Sequence, residues 1–221
     1  MAKKRIGVLL SGCGVFDGAE IHEATLTLFF LDRAGAEALC MAPDISQHHI
    51  INHMTGQEMP GTRNVLIESA RIARGNIRNL ATVSVTDVDG VILPGGFGAA
   101  KNLSSVAFDG PKAKVDPGVA AFLRSVREAG KPIGALCITP AVISRIFADQ
   151  GLTLTIGDDP GTASAIEAMG NVHQNSTVDA IVVDKAHKII TSAAYMCEAS
   201  IGAVGQGIEK LVAEVLRQAG P

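Results

Sequence analysis

Lys131-Pro132-Ile133-Gly134-Ala135-Leu136-Cys137-Ile138-Thr139-Pro140-Ala141-Val142 is a short apolar run that stops at a cysteine and turns into helix-forming sequence. Residues 132–136 are small and apolar, as in a buried strand of an α/β sheet. The next segment opens on Pro140, which suits a first helical turn, and continues Ala-Val-Ile-Ser-Arg-Ile-Phe to Phe147. A cysteine at that join sits on a sharp turn above the sheet edge. Free backbone N–H groups and the helix dipole favour thiolate there, and such surroundings bring a thiol from roughly 8.5 to about 3.5–7.5. On this reading Cys137 is a nucleophile. The stretch fits a plain buried cysteine equally well, since Cys is among the most buried residue types.

The chain on either side alternates strand and helix. Arg5–Leu10 reads as a first strand, followed by Ser11-Gly12-Cys13-Gly14-Val15-Phe16-Asp17-Gly18. The glycines invite a dinucleotide site, but Asp17 occupies the place of the third glycine and would repel a pyrophosphate. Asp17 reads instead as a helix N-cap, with Glu20 completing a capping box and Ile21, Ala24, Leu28, Leu31 and Ala34 following at helical spacing. Glu23 lies near the border of that apolar stripe. It either points along the sheet edge or is an ordinary first-turn glutamate favoured by the helix dipole.

Glu37–Ala42 is the second strand, and an irregular stretch from Ile45 to Pro60 carries His48, His49 and His53. No helical i, i+4 pair with a third acidic ligand is present, so these read as loop histidines rather than a metal site. Gly61-Thr62 opens a helix expected to run to Arg74, making residues 45–75 an insertion on a simple βαβ plan. Val88–Leu93 is a strand running into Pro94-Gly95-Gly96-Phe97-Gly98. Those glycines form either a tight turn or a loop that offers the Gly96 N–H as one oxyanion donor, with the Ile138 N–H as the other. Val115–Ala129 reads as a helix, Leu152–Ile156 as a strand and Thr162–Met169 as a short helix. Val178–Val183 and Lys188–Ser192 form a hairpin, and Met196–Gln218 a long closing helix. This order predicts one α/β domain over residues 1–221, with a largely parallel sheet and helices on both faces. Its ligand edge, at the C-terminal strand ends, gathers Gly12–Gly18, Gly95–Gly98 and Cys137.

Composition narrows the class of partner. With 221 residues the chain is long enough for one well-buried core, and its net charge of −3, with scattered Lys and Arg, suggests neither a nucleic-acid groove nor an anionic membrane surface. One Tyr, seven Phe and no Trp suit close-packed helices on a sheet rather than base stacking. No apolar run reaches membrane-spanning length, and Met-Ala-Lys-Lys-Arg leads into a strand rather than a signal segment. The four cysteines at 13, 40, 137 and 197 have neither metal-ligand spacing nor the density of a disulfide framework, which points to a reducing cytoplasm.

Leu93-Pro94-Gly95-Gly96 with Gly98-Ala99-Ala100-Lys101-Asn102-Leu103, the elbow Ala135-Leu136-Cys137 with Pro140, and Gly18-Ala19-Glu20-Ile21-His22-Glu23 together resemble the ThiJ/PfpI superfamily. The wording of Ser11–Gly18, Ile51-Asn52-His53-Met54-Thr55-Gly56 and Thr62-Arg63-Asn64-Val65-Leu66 is similar to its enhancing-lycopene-biosynthesis branch, also called isoprenoid biosynthesis glyoxalases. The resemblance runs from Lys4 to the closing helix. It implies a flavodoxin-like, class I glutamine-amidotransferase-like three-layer sandwich, with Cys137 the elbow cysteine, Glu23 the acid beside its sulfur, and Gly96 and Ile138 the oxyanion donors. It also implies a homodimer acting on a small dicarbonyl without cofactor or metal, turning glyoxal into glycolate through a cysteine hemithioacetal.

The departures matter too. Protease-like relatives carry a histidine directly after the cysteine, where this chain has Ile138, and the C-terminal His-x-Glu pair of glutamine amidotransferases has no counterpart. Hydrolysis by a Cys-His triad therefore lacks its base, and neither His22 nor His173 is assigned that role. A second reading uses the same thiol without turnover: a stress-response or redox-sensing protein in which Cys137 is oxidised, with Cys13 as the resolving thiol.

Overall fold

The computed structural model describes residues 3–220. In chain order the elements are β1 (Arg5–Leu9), α1 (Ile21–Arg33), β2 (Glu37–Ala42), α2 (Val65–Ile72), β3 (Arg78–Asn79), β4 (Gly90–Leu93), α3 (Phe97–Lys101), α4 (Val106–Asp109) and α5 (Pro117–Glu128). After them come β5 (Ile133–Leu136), α6 (Thr139–Ile146), β6 (Thr153–Leu154), α7 (Pro160–Ala168), β7 (Val172–His173), β8 (Val182–Asp184), β9 (Ile189–Ser192) and α8 (Ile201–Gln218).

Seven strands form the central sheet in the order β3-β2-β1-β4-β5-β9-β8. Every pairing is parallel except the β8–β9 edge, so the sheet is the mostly parallel one expected of an α/β sandwich. The order turns back between β1 and β4, and ligands of open α/β sheets bind beyond the carboxyl ends of strands at such a reversal.

Alternation along the strands divides the core into two layers, because successive side chains point to opposite faces. Ile6, Val8, Ile92, Leu136 and Ile190 pack with Ala24 and Leu31 of α1 and with Val204, Ile208 and Leu211 of α8. Leu9, Val91, Leu93, Ile133 and Ala135 face Leu123 of α5, Ile143 of α6 and Ile166 of α7. Gly134 permits close packing of helix on sheet: a Cβ there would stand 2.8 Å from Leu211 and 3.0 Å from Val215, so α8 lies directly on β5.

Several local expectations are corrected. Asp17 does not cap α1. Glu20 does, its Oε2 accepting the Glu23 N–H at 2.6 Å, while Asp17 Oδ2 accepts the N–H of Ile51 at 2.8 Å. The reason is tertiary: the 12–18 loop folds back on itself through Gly18 N–H to Gly14 O, leaving Asp17 facing the 45–60 stretch. The helix expected from Gly61 begins at Val65, where Asn64 supplies the cap by accepting the Ile67 N–H at 3.0 Å. That helix is the crossover that returns to β3. The expected Leu152–Ile156 strand shortens to β6, which pairs with β7 in a separate two-stranded sheet. The closing helix starts at Ile201, capped by Ser200, after a single 3-10 turn over Ala194–Met196.

Candidate active site

Cys137 follows the last residue of β5 in a left-handed conformation, φ +59°. For a non-glycine residue that costs on the order of 1–2 kcal/mol, so the surroundings must hold it. Its N–H donates to Ser192 O at 3.0 Å, and the Thr139 hydroxyl is shared between Leu136 O at 2.7 Å and Leu93 O at 3.1 Å. The turn is thus tied to β4, β5 and β9 at once. Such an elbow is the strand-to-helix geometry that raises a nucleophile above a sheet edge.

Glu23 reaches the same point from α1 and is completely buried. Its Oε2 accepts the Gly95 N–H at 2.7 Å, its Oε1 accepts the Tyr195 N–H at 3.2 Å, and its carboxyl lies beside the Cys137 thiol. A methyl group on Gly95 would stand 2.9 Å from both Cys137 Sγ and Glu23 Oε2, so glycine is what lets thiol and carboxyl meet across the β4 turn. Gly96 follows with φ +94°, its Cα packed onto Gly18 O and Glu20 N, a place no side chain fits. The N–H groups of Gly96 and Ile138 lie close enough to the Cys137 sulfur to favour its charged form.

Burial dominates the electrostatics. It pushes the Glu23 carboxyl up to about 7, with the Glu20 charge adding to the effect, while the N–H groups of Gly95 and Tyr195 and the thiol contact oppose it. Burial also pushes the Cys137 thiol well above its ordinary value, and the charge of Glu23 adds to that; the Gly96 and Ile138 N–H groups pull the other way. The simple expectation of a depressed thiol is therefore corrected: N–H groups at the elbow act as foreseen, but desolvation beside a carboxylate outweighs them. Two acids in contact in one dry site titrate as a pair, and the first proton lost belongs to both.

Of the residues singled out from sequence, Cys137, Glu23, Gly96 and Ile138 come together. His22 lies at the edge, its Nδ1 2.9 Å from the Tyr195 hydroxyl. His173 stands on β7 in the small sheet, where its Nε2 accepts the Ile156 N–H at 3.2 Å, a structural bond away from the pair. All four cysteines are free; Cys13 sits among Arg71, Glu68, Asp17 and Arg63 in the 12–18 loop. Sequence reasoning missed the Gly95 and Tyr195 N–H groups and the second role of Glu20. The available signal for Tyr195 was its place just past the apolar run Lys188–Ser192, at the carboxyl end of a parallel strand.

The elbow cysteine and the buried glutamate stand on an α/β fold that the Drosophila melanogaster DJ-1beta structure also has. That structure shares the fold at TM-score 0.59 and 21% identity over 99% of this chain and 96% of its own. A crystal structure from Ehrlichia chaffeensis, described as an isoprenoid biosynthesis protein with amidotransferase-like domain, superposes at TM-score 0.89 with 35% identity, covering 96% of this chain and 99% of that one. The human protein named glutamine amidotransferase-like class 1 domain-containing protein 3, mitochondrial, is 45% identical over 98% of this chain and 84% of its own length. The rat ES1 protein homolog, mitochondrial, is 43% identical over 99% and 85%. No family model matches. The chain belongs to the ES1 family of amidotransferase-like class 1 proteins and shares its fold with the DJ-1beta structure.

Proposed function

We propose that the protein is a cofactor-independent glyoxalase that converts glyoxal and similar small dicarbonyls to 2-hydroxy acids. The observation that carries this reading is the direct contact of Cys137 with a buried, proton-holding Glu23, at an elbow where two further N–H groups converge. The thiolate adds to one aldehyde carbon, forming the C–S bond of a hemithioacetal, and the new alkoxide takes the Gly96 and Ile138 N–H groups. Glu23 gives its proton to that oxygen and then, as the carboxylate, removes the proton from the carbon and returns it to the neighbouring one through an enediol. The first carbon is oxidised to the thioester level while the second is reduced to an alcohol. Water then cleaves the thioester to release glycolate and the thiol, and no external oxidant or reductant is consumed.

The named relatives are mitochondrial proteins, and among the described residues no helix is long and apolar enough to cross a membrane. Four free cysteines suit a reducing compartment of either kind, cytoplasmic or mitochondrial. The test is glycolate formation from glyoxal without glutathione or metal, in the native protein, Cys137→Ala and Glu23→Gln. Turnover that falls at least about 100-fold in both variants supports the reading. Turnover that survives Cys137→Ala, or is missing from the native protein, removes it and leaves the oxidation-sensing role for the same thiol.

A further inference from the structure

Two bonds hold the Glu23 carboxylate, and they differ. The one from Gly95, at 2.7 Å, comes from the rigid end of β4. The one from Tyr195, at 3.2 Å, comes from a turn after β9 whose preceding residue, Ala194, has φ +43°. A turn in that conformation needs an anchor to keep its N–H on the carboxylate. His22 supplies one. Neighbours on a helix point about 100° apart, so while Glu23 turns into the site, His22 points out of it and meets the Tyr195 hydroxyl at 2.9 Å, ring centroids 5.8 Å apart. The connections close a ring: Glu23 Oε1 to Tyr195 N–H, along Tyr195 to its hydroxyl, across to His22, and back through the α1 backbone to Glu23.

We propose that His22 and Tyr195 form a clasp that locks the turn after β9 onto the first turn of α1, making His22 a positioning residue for Glu23. The inference rests on the reading of Glu23 and Cys137 as the working pair. It deepens that reading by giving a role to the histidine that directly precedes the acid. The side chains facing Glu23 are Glu20, Cys137 and Tyr195, with His22 acting only through Tyr195.

The test reads thiol reactivity rather than turnover, so it can fail separately from the glyoxalase proposal. The rate of Cys137 alkylation by iodoacetamide is followed against pH, with peptide mass spectrometry separating Cys137 from Cys13, Cys40 and Cys197. An N–H bonded to a carboxylate favours its charged form, and loss of that bond disfavours it. In His22→Ala and in Tyr195→Phe, the pH midpoint for the first ionisation of the pair should rise by about 0.5–1 unit, the worth of one such bond. The double variant should move no further than either single one, because both break the same ring. His22→Asn, whose amide can occupy the place of Nδ1, should keep the native midpoint. Tyr195→Phe removes one hydroxyl from a half-buried position and guards against a His22 variant that fails to fold. A midpoint that stays put in either single variant, or shifts that add in the double, would overturn the clasp.

Discussion

Replacing Gly95 with alanine tests whether the thiol and carboxyl depend on bare backbone between them. The added methyl would lie 2.9 Å from Cys137 Sγ, 2.9 Å from Glu23 Oε2 and closer still to Cys137 Cβ. Comfortable separations are about 3.5–4.0 Å, so something must yield by roughly 1 Å. Cys137 is poorly placed to yield, since its backbone is pinned by Ser192 O and by the Thr139 bonds. Glu23 is held at both oxygens. The expected result is a separated pair: a misplacement of that size costs about 100-fold in rate, and overpacking costs about 1–3 kcal/mol of stability. Stopped-flow alkylation of Cys137 at fixed pH, glycolate formation from glyoxal and urea unfolding would read the three consequences. A Gly95→Ala protein that folds with native stability and keeps its Cys137 alkylation profile would refute the argument that this glycine exists for the pair.

Three more changes test the site carboxyl, a loop tie and a helix surface in turn. Glu23 has its pKa raised from 4.5 to about 7, so its stabilising contribution is greatest below pH 4.5 and is lost as pH climbs through 7. That loss amounts to about 3 kcal/mol between pH 4 and pH 8. Glu23→Gln should abolish it, being less stable than native at pH 5, where one N–H partner is lost, and at least as stable at pH 8; parallel unfolding curves at both pH values would count against the raised carboxyl. Asn102 donates to Ser11 O at 2.8 Å and Asp17 O at 3.0 Å and accepts the His48 N–H at 2.8 Å, so Asn102→Ala should cost about 2–3 kcal/mol in denaturant titration. A loss under about 0.5 kcal/mol would mean these three segments do not need their common tie. Gly202→Ala, in the exposed first turn of α8, meets only Ser200 Oγ at 3.9 Å, and should add about 0.4–1 kcal/mol with Cys137 reactivity unchanged.

The fold was largely legible because the strands that build it are the ones whose pattern is local. β1, β2, β4 and β5 are short apolar runs with a glycine-rich or proline-marked exit, and the elbow at Cys137 sits where one of them meets a proline-led helix. The failures have a common cause. Asp17-Gly18-Ala19-Glu20 satisfies a capping-box pattern, yet the chain reverses between Gly14 and Gly18, and the cap passes to Glu20. Periodicity carries no information about a reversal of that kind. β3 has two residues and β6 and β7 have two each, too few for any alternation to register. At the site, side chains with distinctive chemistry were visible in sequence, but half of what holds them is main chain. Gly95 N–H, Tyr195 N–H and Ser192 O are placed by sheet register, which is a property of strand pairing rather than of residue type.

That main-chain contribution also decides how the pair divides its proton. Glu23 holds two N–H groups, from Gly95 and Tyr195, and the Cys137 sulfur holds two, from Gly96 and Ile138. Loss of one proton leaves either a carboxylate beside a thiol or a thiolate beside a carboxylic acid; burial and the Glu23 charge favour the first, and the Gly96 and Ile138 donors narrow the gap to the second. The first is inert as a nucleophile; the second combines a nucleophile with a loaded acid. In the proposed reaction, negative charge moves from sulfur to an oxygen two bonds away, and the Gly96 and Ile138 donors can follow it with little motion because they already converge there. The Gly95 and Tyr195 donors stay with Glu23, favouring its return to carboxylate and hence its readiness to take the next proton from carbon. A site with all four donors on sulfur would make a more acidic thiol and a poorer base. The upward shift of the thiol comes from burial and the charge of Glu23, and it is offset only in part because two of the four N–H groups serve the residue that must exchange roles with the sulfur within one turnover.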